Sequence, residues 1–525
     1  MHIKILKTSK KALLALFAFC SVFFAYTEQY QISETHYDIQ GITREYPLKT
    51  KVEVDYHKIF ENEEELLGYI KDLKQRLENT RAFEEINIDF SVLEATEEGI
   101  YPVKVFIKTK DAKHLLALPY PKFDSNSGFL FKLKAKDTNF LGSLEEMAGE
   151  LNFQIESDKD PWEYTTGLAF SFETPFKAGP FKEVLTNDHS FSYTIGKNTP
   201  EWNFKVGLTS ELPFEKYSIK FDFFQSFIRD LDYEVADING KAKYYGDGTY
   251  FTEDAKISVP LIIQDIENWG KLYYTPYTQM VYYWDFDGIH KDNTDLQSPK
   301  IVIGQTISTS RINWEGNFRK GASINVNQTF SYNIYRGKFI PGIEAEFQGF
   351  THSKYIGLNA DFLAFAYLND TKKIGSRLRG IKDDLYFSEE TGMSDTKASD
   401  VNGGIVLNID FPIHIITTNW SKVPLIKKIG FFDKYLNFEL QISPFIDIAL
   451  VHNKVNNRSL HYKDGFYTAG LEVLVFPLKW KGLVVRASFG VDLGRTIPGF
   501  KGKLDQHWRD DVSKYELTIG LGLHY

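Results

Sequence analysis

The chain has almost no cysteine: one residue, Cys20, in 525. No intrachain disulfide can form, and thiol chemistry has a single candidate. Long apolar runs are also missing. Past the N-terminus, no stretch approaches the ~20 residues that a membrane helix needs. Positive charge is not in excess. Lys and Arg total 61 against 70 Asp and Glu, a formal charge of −9, which gives no support to a nucleic-acid partner. The 12 histidines are dispersed without ligand spacing, so neither a metal nor another cofactor is implied. His114, His290, His461 and His524 form no convincing set with serine and aspartate, and the chain does not read as an enzyme.

What is present is aromatic and alternating. Aromatic residues make up 15%, with 43 Phe and 30 Tyr, although the mean hydropathy is only −0.30. That combination suits a protein that crosses a membrane with strands, because each strand needs only one apolar face. Residues 1–25 have the form of a signal peptide. Lys4, Lys7, Lys10 and Lys11 precede an apolar run from Ala12 to Phe24, with Ala25 at the cleavage position. Phe23 is bulky for that site, and Phe17 and Phe19 argue against lipidation of Cys20. Cleavage would remove four lysines, leaving 57 basic against 70 acidic residues and a formal charge of −13.

Residues 36–111 read as a small α+β domain. A short strand over 36–43 is followed by a helix over 62–81. There Leu66, Ile70, Leu73 and Leu77 make one apolar stripe. Glu63, Glu64 and Glu65 crowd its first turn, and Lys74, Arg76 and Arg81 lie towards its end, as the helix dipole favours. Ile86, Ile88, Phe90 and Val92 then alternate, as do Val103, Val105 and Ile107, predicting two strands around a turn at Glu98-Gly99. This order resembles a POTRA domain, the periplasmic module that precedes outer-membrane translocon barrels. The resemblance implies sheet edges that bind extended client segments. The residues alone are equally consistent with a plain spacer.

Residues 113–525 lack any comparable helix and carry strands of period two. Phe129, Phe131, Leu133 and Ala135 interleave with Lys132, Lys134 and Lys136. Leu168, Phe170 and Phe172 alternate with small residues. Leu483, Val485, Ala487, Phe489 and Val491 alternate with Arg486, Ser488, Gly490 and Asp492. Charges on the minor face point to lipid outside and water inside. Sixteen to eighteen strands are expected from residue 128 onward, with about sixteen in a transmembrane antiparallel β-barrel. Outer loops are expected at 231–247, 287–299 and 369–403. The final strand, 515–525, places Tyr515, Leu517, Ile519, Leu521, Leu523 and Tyr525 on one face. It resembles the C-terminal signal of bacterial outer-membrane barrels.

One stretch organises the rest: Ile374-Gly375-Ser376-Arg377-Leu378-Arg379-Gly380-Ile381. Five strand segments follow it, at 404–415, 437–451, 467–477, 483–493 and 515–525. One of them contains Phe445-Ile446-Asp447-Ile448-Ala449. With Leu440, Ile442, Ile446, Ile448 and Leu450 facing outward, Asp447, Gln441 and Ser443 face inward. A carboxylate there calls for a partner, and a guanidinium offers two parallel hydrogen bonds. Arg379 is the expected partner of Asp447, with Gly380 letting the loop backbone approach the wall. Arg377 is an alternative donor, and Asp410 and Asp492 are alternative acids. This ordered set resembles the BamA/TamA family of outer-membrane translocons, in which a V-R-G-Y/F loop motif folds into the barrel lumen and meets an F-x-D-x-G strand. Here Leu378 stands for Val, Ile381 for the aromatic residue and Ala449 for Gly. Phe140-Leu141-Gly142 resembles the family's first hairpin turn.

The resemblance implies a bacterial outer-membrane protein with a periplasmic N-terminal domain, assisting insertion or export of unfolded or β-rich client polypeptides. Its partners would be outer-membrane lipid, clients on the POTRA-like domain and envelope accessory proteins. A single POTRA-like module suggests an accessory or specialised member. The resemblance also implies a seam between strands 128–137 and 515–525 that opens laterally. Gly520 and Gly522 would weaken packing there, although they also suit simple barrel curvature. The alternatives are a passive solute pore, or a secretion pore dedicated to one partner protein.

Overall fold

A computed structural model describes residues 28–523 except 125–127, 157–161, 198, 231–232, 237–241, 246–247, 267–268, 286–298, 335–336, 382–384, 390–391, 398–399, 423–435, 501–502, 505 and 509–512. The expected signal peptide 1–25 with Cys20, most of the expected loop 287–299, and Tyr525 lie outside the described residues. The chain divides into two compact units. One comprises residues 1–38, 53–74 and 86–108, and the other 39–52, 75–85 and 109–525.

The smaller unit contains most of a four-stranded sheet in the order Ile59–Phe60, Gln29–Gln40, Ile100–Asp111, Phe83–Val92. Its helix spans Glu63–Asn79. Leu66, Ile70 and Leu73 are buried, together with Phe60, Val103, Val105 and Ile107. The helix start is capped twice. Asn62 Oδ1 accepts the Glu65 N–H at 2.9 Å, and Glu65 Oε2 accepts the Glu61 N–H at 3.0 Å. The latter bond, with Lys58 beside it, holds the Glu65 carboxyl below its ordinary range. The first strand begins earlier than 36, and the helix ends two residues before 81.

The larger unit is dominated by one antiparallel sheet of twenty-one strand segments. They follow one another in chain order, and the last, Tyr515–Leu521, neighbours the first, Leu115–Asp124. Gly248–Ser258 and Leu261–Ile266 lie end to end against one partner, on either side of Pro260. Gly403–Asp410 and Ile413–Thr417 do the same around Pro412. Arg458–Ser459 is a two-residue bridge. Counting each broken pair once and omitting the bridge leaves eighteen strands among the described residues, of which seventeen lie from residue 128 onward, within the expected sixteen to eighteen. The expected first strand, 128–137, is in fact the second. Leu115–Asp124 precedes it and pairs along its whole length. Pro119 and Pro121 hide that strand in the sequence, because proline lacks the ladder N–H. The uncertain segment 189–197 is part of Phe181–Thr194, while 340–353 stands alone as Lys338–His352.

The two faces of the sheet differ as period two demands. Phe131, Leu133, Leu168, Phe170, Phe221, Phe223, Ile301 and Ile303 are exposed on one face. On the other, Lys136 pairs with Glu146 at 2.7 Å, and Asp222, Ser226, Asn408 and Gln441 are buried. No helix among the described residues is long and apolar enough to cross a membrane. In the expected loop 231–247, segments Tyr233–Ala236 and Ala242–Tyr245 pair as a small hairpin. In 369–403, Leu385–Glu389 pairs with Gly392–Lys397 and Gln506–Trp508.

Candidate functional site

The five strands after the 374–381 stretch alternate strictly where they meet it. In Phe438–Asn453, every second residue from Gln441 to Asn453 is buried. Ile446 points away, with 43% of its surface exposed, while Asp447 is 0% exposed. The 374–381 stretch covers this polar face. Gly375–Arg377 makes one 3₁₀ turn. Ile374, Leu378 and Ile381 are buried with Leu363, Phe365, Val401, Val406, Ala449, Val451 and Phe466. That cluster sinks the stretch, so Arg379 is driven into a nearly closed environment with 5% exposure.

There Arg379 meets Asp447 three times. Its backbone N–H donates to Oδ2 at 2.9 Å, Nε to Oδ2 at 3.1 Å, and Nη2 to Oδ1 at 2.6 Å. The remaining arm, Nη1, donates to Asp410 Oδ1 at 2.6 Å. The Thr468 hydroxyl donates to Asp447 at 3.3 Å. Glu472 lies 3.8 Å from both Arg379 Nη1 and Arg486 Nη1. The guanidinium carbon sits 3.6 Å from the centroid of the Phe445 ring, close enough for a cation–π contact. Asp410, taken from sequence as a rival to Asp447, is thus a second partner of the same arginine.

Gly380 follows at φ 91, a conformation that side chains disfavour. A Cβ there would fall 2.6 Å from the Gly490 carbonyl carbon, and a Cβ on Gly490 would fall 2.7 Å from Gly380 N. Two glycines therefore let loop backbone lie directly on strand backbone. The Gly380 N–H donates to Glu516 Oε2 at 2.8 Å, and Glu516 is the cross-strand partner of Gly490. Arg379 and Gly380 thereby touch residues on all five C-terminal strands: Asp410, Asp447, Glu472, Gly490 and Glu516.

The other sequence candidates lie elsewhere. Arg377 turns away from Asp447. Its Nη1 donates to Asp361 Oδ1 at 3.2 Å and its Nη2 to Glu346 Oε1 at 2.7 Å. The Arg377 carbonyl oxygen accepts from Asn408 Nδ2 at 2.7 Å. Asp492 caps the short helix Leu493–Thr496, where its side chain accepts the Arg495 N–H. Ile381, which lacks the aromatic ring of the V-R-G-Y/F motif, does not leave Arg379 unstacked, because Phe445 supplies that ring. Tyr515, Leu517 and Ile519 are exposed on the apolar face. Leu523 is not on that face. Gly522 at φ 93 ends the alternation, and Leu523 packs against Leu474, Phe476 and Val484 on the opposite side. The missing side chain of Gly520 leaves room beside the Arg486 guanidinium. Gly142, in the expected hairpin turn, accepts the Arg44 N–H at 2.9 Å. A Cβ on Gly142 would fall 1.9 Å from the Ile42 carbonyl oxygen.

Sequence reasoning missed Phe445 as a stacking partner, along with Gly490 and Glu516. The one available signal was the single glycine in an otherwise apolar and polar alternation, which often marks close backbone approach. Among the described residues, no group of three or more His, Cys, Asp or Glu could hold a metal ion.

No family model matches the chain, and no curated protein matches it. Among solved structures, the chain is similar to CdiB from Acinetobacter baumannii at 12% identity, with 94% of this chain and 73% of that one covered and a TM-score of 0.45. It is similar to CdiB from Escherichia coli at 9% identity, covering 95% and 91%, with a TM-score of 0.39. It is also similar to BamA from Haemophilus ducreyi lacking POTRA domains 1–3, at 12% identity, covering 94% and 85%, with a TM-score of 0.33.

Proposed function

We propose that this chain is an outer-membrane β-barrel protein that helps insert or export β-rich polypeptides. In this reading the large sheet is closed, with Tyr515–Leu521 meeting Leu115–Asp124, and its exposed Phe, Leu and Ile face is solvated by lipid. Residues 36–111 form a POTRA-like periplasmic module that pairs client strands at its sheet edge. Arg379 and Gly380, with Asp447 and Asp410, form a latch that holds the 374–381 stretch inside the lumen. No covalent step, metal or nucleotide takes part.

The observation that carries the reading is the buried ion pairing of Arg379 with carboxylates on adjacent strands of the polar face, Asp410 and Asp447. A charged residue is buried only at high cost unless it is paired and hydrogen-bonded. A passive pore gains nothing from filling its polar face with a buried arginine and an apolar plug. A protein that must keep its barrel sealed and braced while handling a client does gain. The buried, multiply paired arginine and the apolar cluster packed round it favour this reading over passive diffusion.

The test is insertion of a model β-barrel into liposomes carrying the wild-type protein, the Arg379→Ala variant, the Asp447→Ala variant or no protein. The wild type is expected to accelerate insertion, and both variants to lose that effect, with the double variant no worse. No acceleration, together with ion conductance that the variants leave unchanged, would replace the assembly reading with the passive pore.

A further inference from the structure

A second crossing of the polar face lies at the end of the sheet that carries the 316–317 and 478–484 turns. Lys300–Glu315 and Phe318–Asn333 are joined by the tight turn Gly316-Asn317, with Gly316 at φ 67. Asn317 Nδ2 donates to Glu439 Oε2 at 2.8 Å, and Gln441 Nε2 donates to the Asn317 carbonyl oxygen at 3.2 Å. Trp314 packs against Leu474, Phe476 and Val484. Three full strands separate Phe318–Asn333 from Phe438–Asn453 in the sheet order. At 4.7–4.9 Å per step, that is about 19 Å along the sheet. Direct hydrogen bonds over such a separation require the sheet to curve and the turn to span its concave side.

Residues 75–85 belong to the same unit and fasten the turn. Arg81 Nη1 donates to the Gly316 carbonyl oxygen at 3.0 Å, and Nη2 to Asn317 Oδ1 at 2.7 Å. Its Nε donates to the Lys481 carbonyl oxygen. The guanidinium lies 4.1 Å from the centroid of the Trp314 ring. Asn79 Oδ1 accepts the Trp314 N–H at 2.9 Å, and Asn79 Nδ2 donates to Asn313 Oδ1 at 3.0 Å. Gln75 Nε2 donates to the Trp314 carbonyl oxygen at 2.9 Å. Arg81 is held at φ 53, an uncommon conformation for a side-chain-bearing residue that surrounding structure must enforce. Burial brings its guanidinium down to about 10, so it stays charged at neutral pH.

We propose that the Gly316-Asn317 turn plugs one mouth of the barrel and that Arg81 is the pin that holds it shut. Release of Arg81 removes its bonds to Gly316 and Asn317, leaves those of Gln75 and Asn79 to Asn313 and Trp314 at the strand ends, and lets the turn swing off the polar face to admit solvent or an extended polypeptide. The pin is made of three hydrogen bonds and one stacked ring at a single side chain, so one local displacement removes it. Ser443, 1% exposed, lies one pleat beyond Gln441, the residue that donates to the Asn317 carbonyl oxygen, and so reports on solvent entry behind the turn. The inference rests on the closed-barrel reading and deepens it by placing a gate at this mouth.

The test is labelling of a Ser443→Cys protein by an anionic maleimide in lipid nanodiscs, in a Cys20→Ser background. Labelling is expected to be slow with Arg81 in place and at least tenfold faster with Arg81→Ala. Arg81→Lys should fall between, since an ammonium keeps the charge but not the planar fork. Trp314→Ala should also accelerate labelling, and it decides the matter if Arg81→Ala does not fold. Wild-type labelling as fast as in denatured protein, or folded Arg81→Ala and Trp314→Ala proteins that label at the wild-type rate, would overturn the plug. Failure of the wild type to enter nanodiscs in a compact, heat-modifiable form would instead overturn the barrel reading, and the plug with it.

Discussion

Replacing Arg379 by alanine is expected to undock the 374–381 stretch without unfolding the sheet. The substitution deletes the Nε and Nη2 bonds to Asp447 and the Nη1 bond to Asp410. Asp447, at 0% exposure, keeps the backbone N–H of residue 379 and the Thr468 hydroxyl. Two buried carboxylates then lose their cationic partner, and breaking such a buried pair costs about 3–5 kcal/mol. At about 1.4 kcal/mol per tenfold, the undocked population should rise by roughly two to three and a half orders of magnitude. Val451 lies in the cluster beneath the stretch at 0% exposure. A Val451→Cys probe should therefore react with a water-soluble maleimide in proportion to undocking. Asp447 receives three of Arg379's donors and Asp410 one, so Asp447→Asn should loosen the loop more than Asp410→Asn. The Arg379→Ala/Asp447→Asn double variant should be no looser than Arg379→Ala alone, because it also removes the stranded charge. A change under threefold in Arg379→Ala, or additive effects in the double variant, would refute the reasoning.

Three further outcomes follow from the same geometry. Gly490→Ala should undock the stretch about as strongly as Arg379→Ala, because the new Cβ would fall 2.7 Å from loop backbone that cannot rotate away; the Val451→Cys probe reads this directly. Glu516→Ala should loosen the loop by about tenfold, the loss of one hydrogen bond to a charged acceptor at roughly 1.5 kcal/mol, and Glu516→Gln should restore most of it. In the smaller unit, the Glu65 carboxyl titrates below its ordinary value when folded. Its contribution is therefore complete above the unfolded value of about 4.3 and is lost as pH falls through the lower folded value. The exchange protection factor of the Glu61 amide, which the Glu65 carboxylate accepts, should fall only in that acidic window, and a fall beginning near neutrality would contradict the cap.

Much of this architecture was legible in the sequence because period and chemistry agree. The helix stripe at Leu66, Ile70, Leu73 and Leu77 and the paired faces of the long strands follow from burial alone. An arginine–aspartate contact here was legible because an inward acid on a strand needs a cation, while the choice of Arg379 and Asp447 over Arg377, Asp410 and Asp492 rested on the resemblance to the V-R-G-Y/F and F-x-D-x-G motifs. What was hidden has equally physical causes. Leu115–Asp124 carries Pro119 and Pro121 and so lacks the usual strand signature. Proline also divides two strands into short pieces, which blurs the count. Gly522 reverses the facing of Leu523 by a backbone angle that no residue pattern records. Phe445 sits in an inward position that composition assigns to polar residues, yet there it covers the face of Arg379. Glu516 looks like any acid on the polar face until the register sets it beside Gly490, under the loop.

The arrangement also has a mechanical consequence under the proposed reading. Arg379 and Gly380 bind the five C-terminal strands to one dipeptide, so those strands are braced as a block from Asp410 to Glu516. The neighbour of the last strand, Leu115–Asp124, enters the ladder with two fewer N–H donors because of Pro119 and Pro121. The bracing is therefore strong on one side of the Tyr515–Leu521 strand and the backbone pairing is poorer in donors on the other. Any displacement of the last strand away from the first can keep the Gly380–Glu516 bond only by carrying the 374–381 stretch with it. It can leave the stretch docked only by breaking that bond. Glu516 is thus the residue through which the state of the loop and the position of the last strand constrain each other, and its carboxylate, more than the glycines at 520 and 522, is where the two should be coupled.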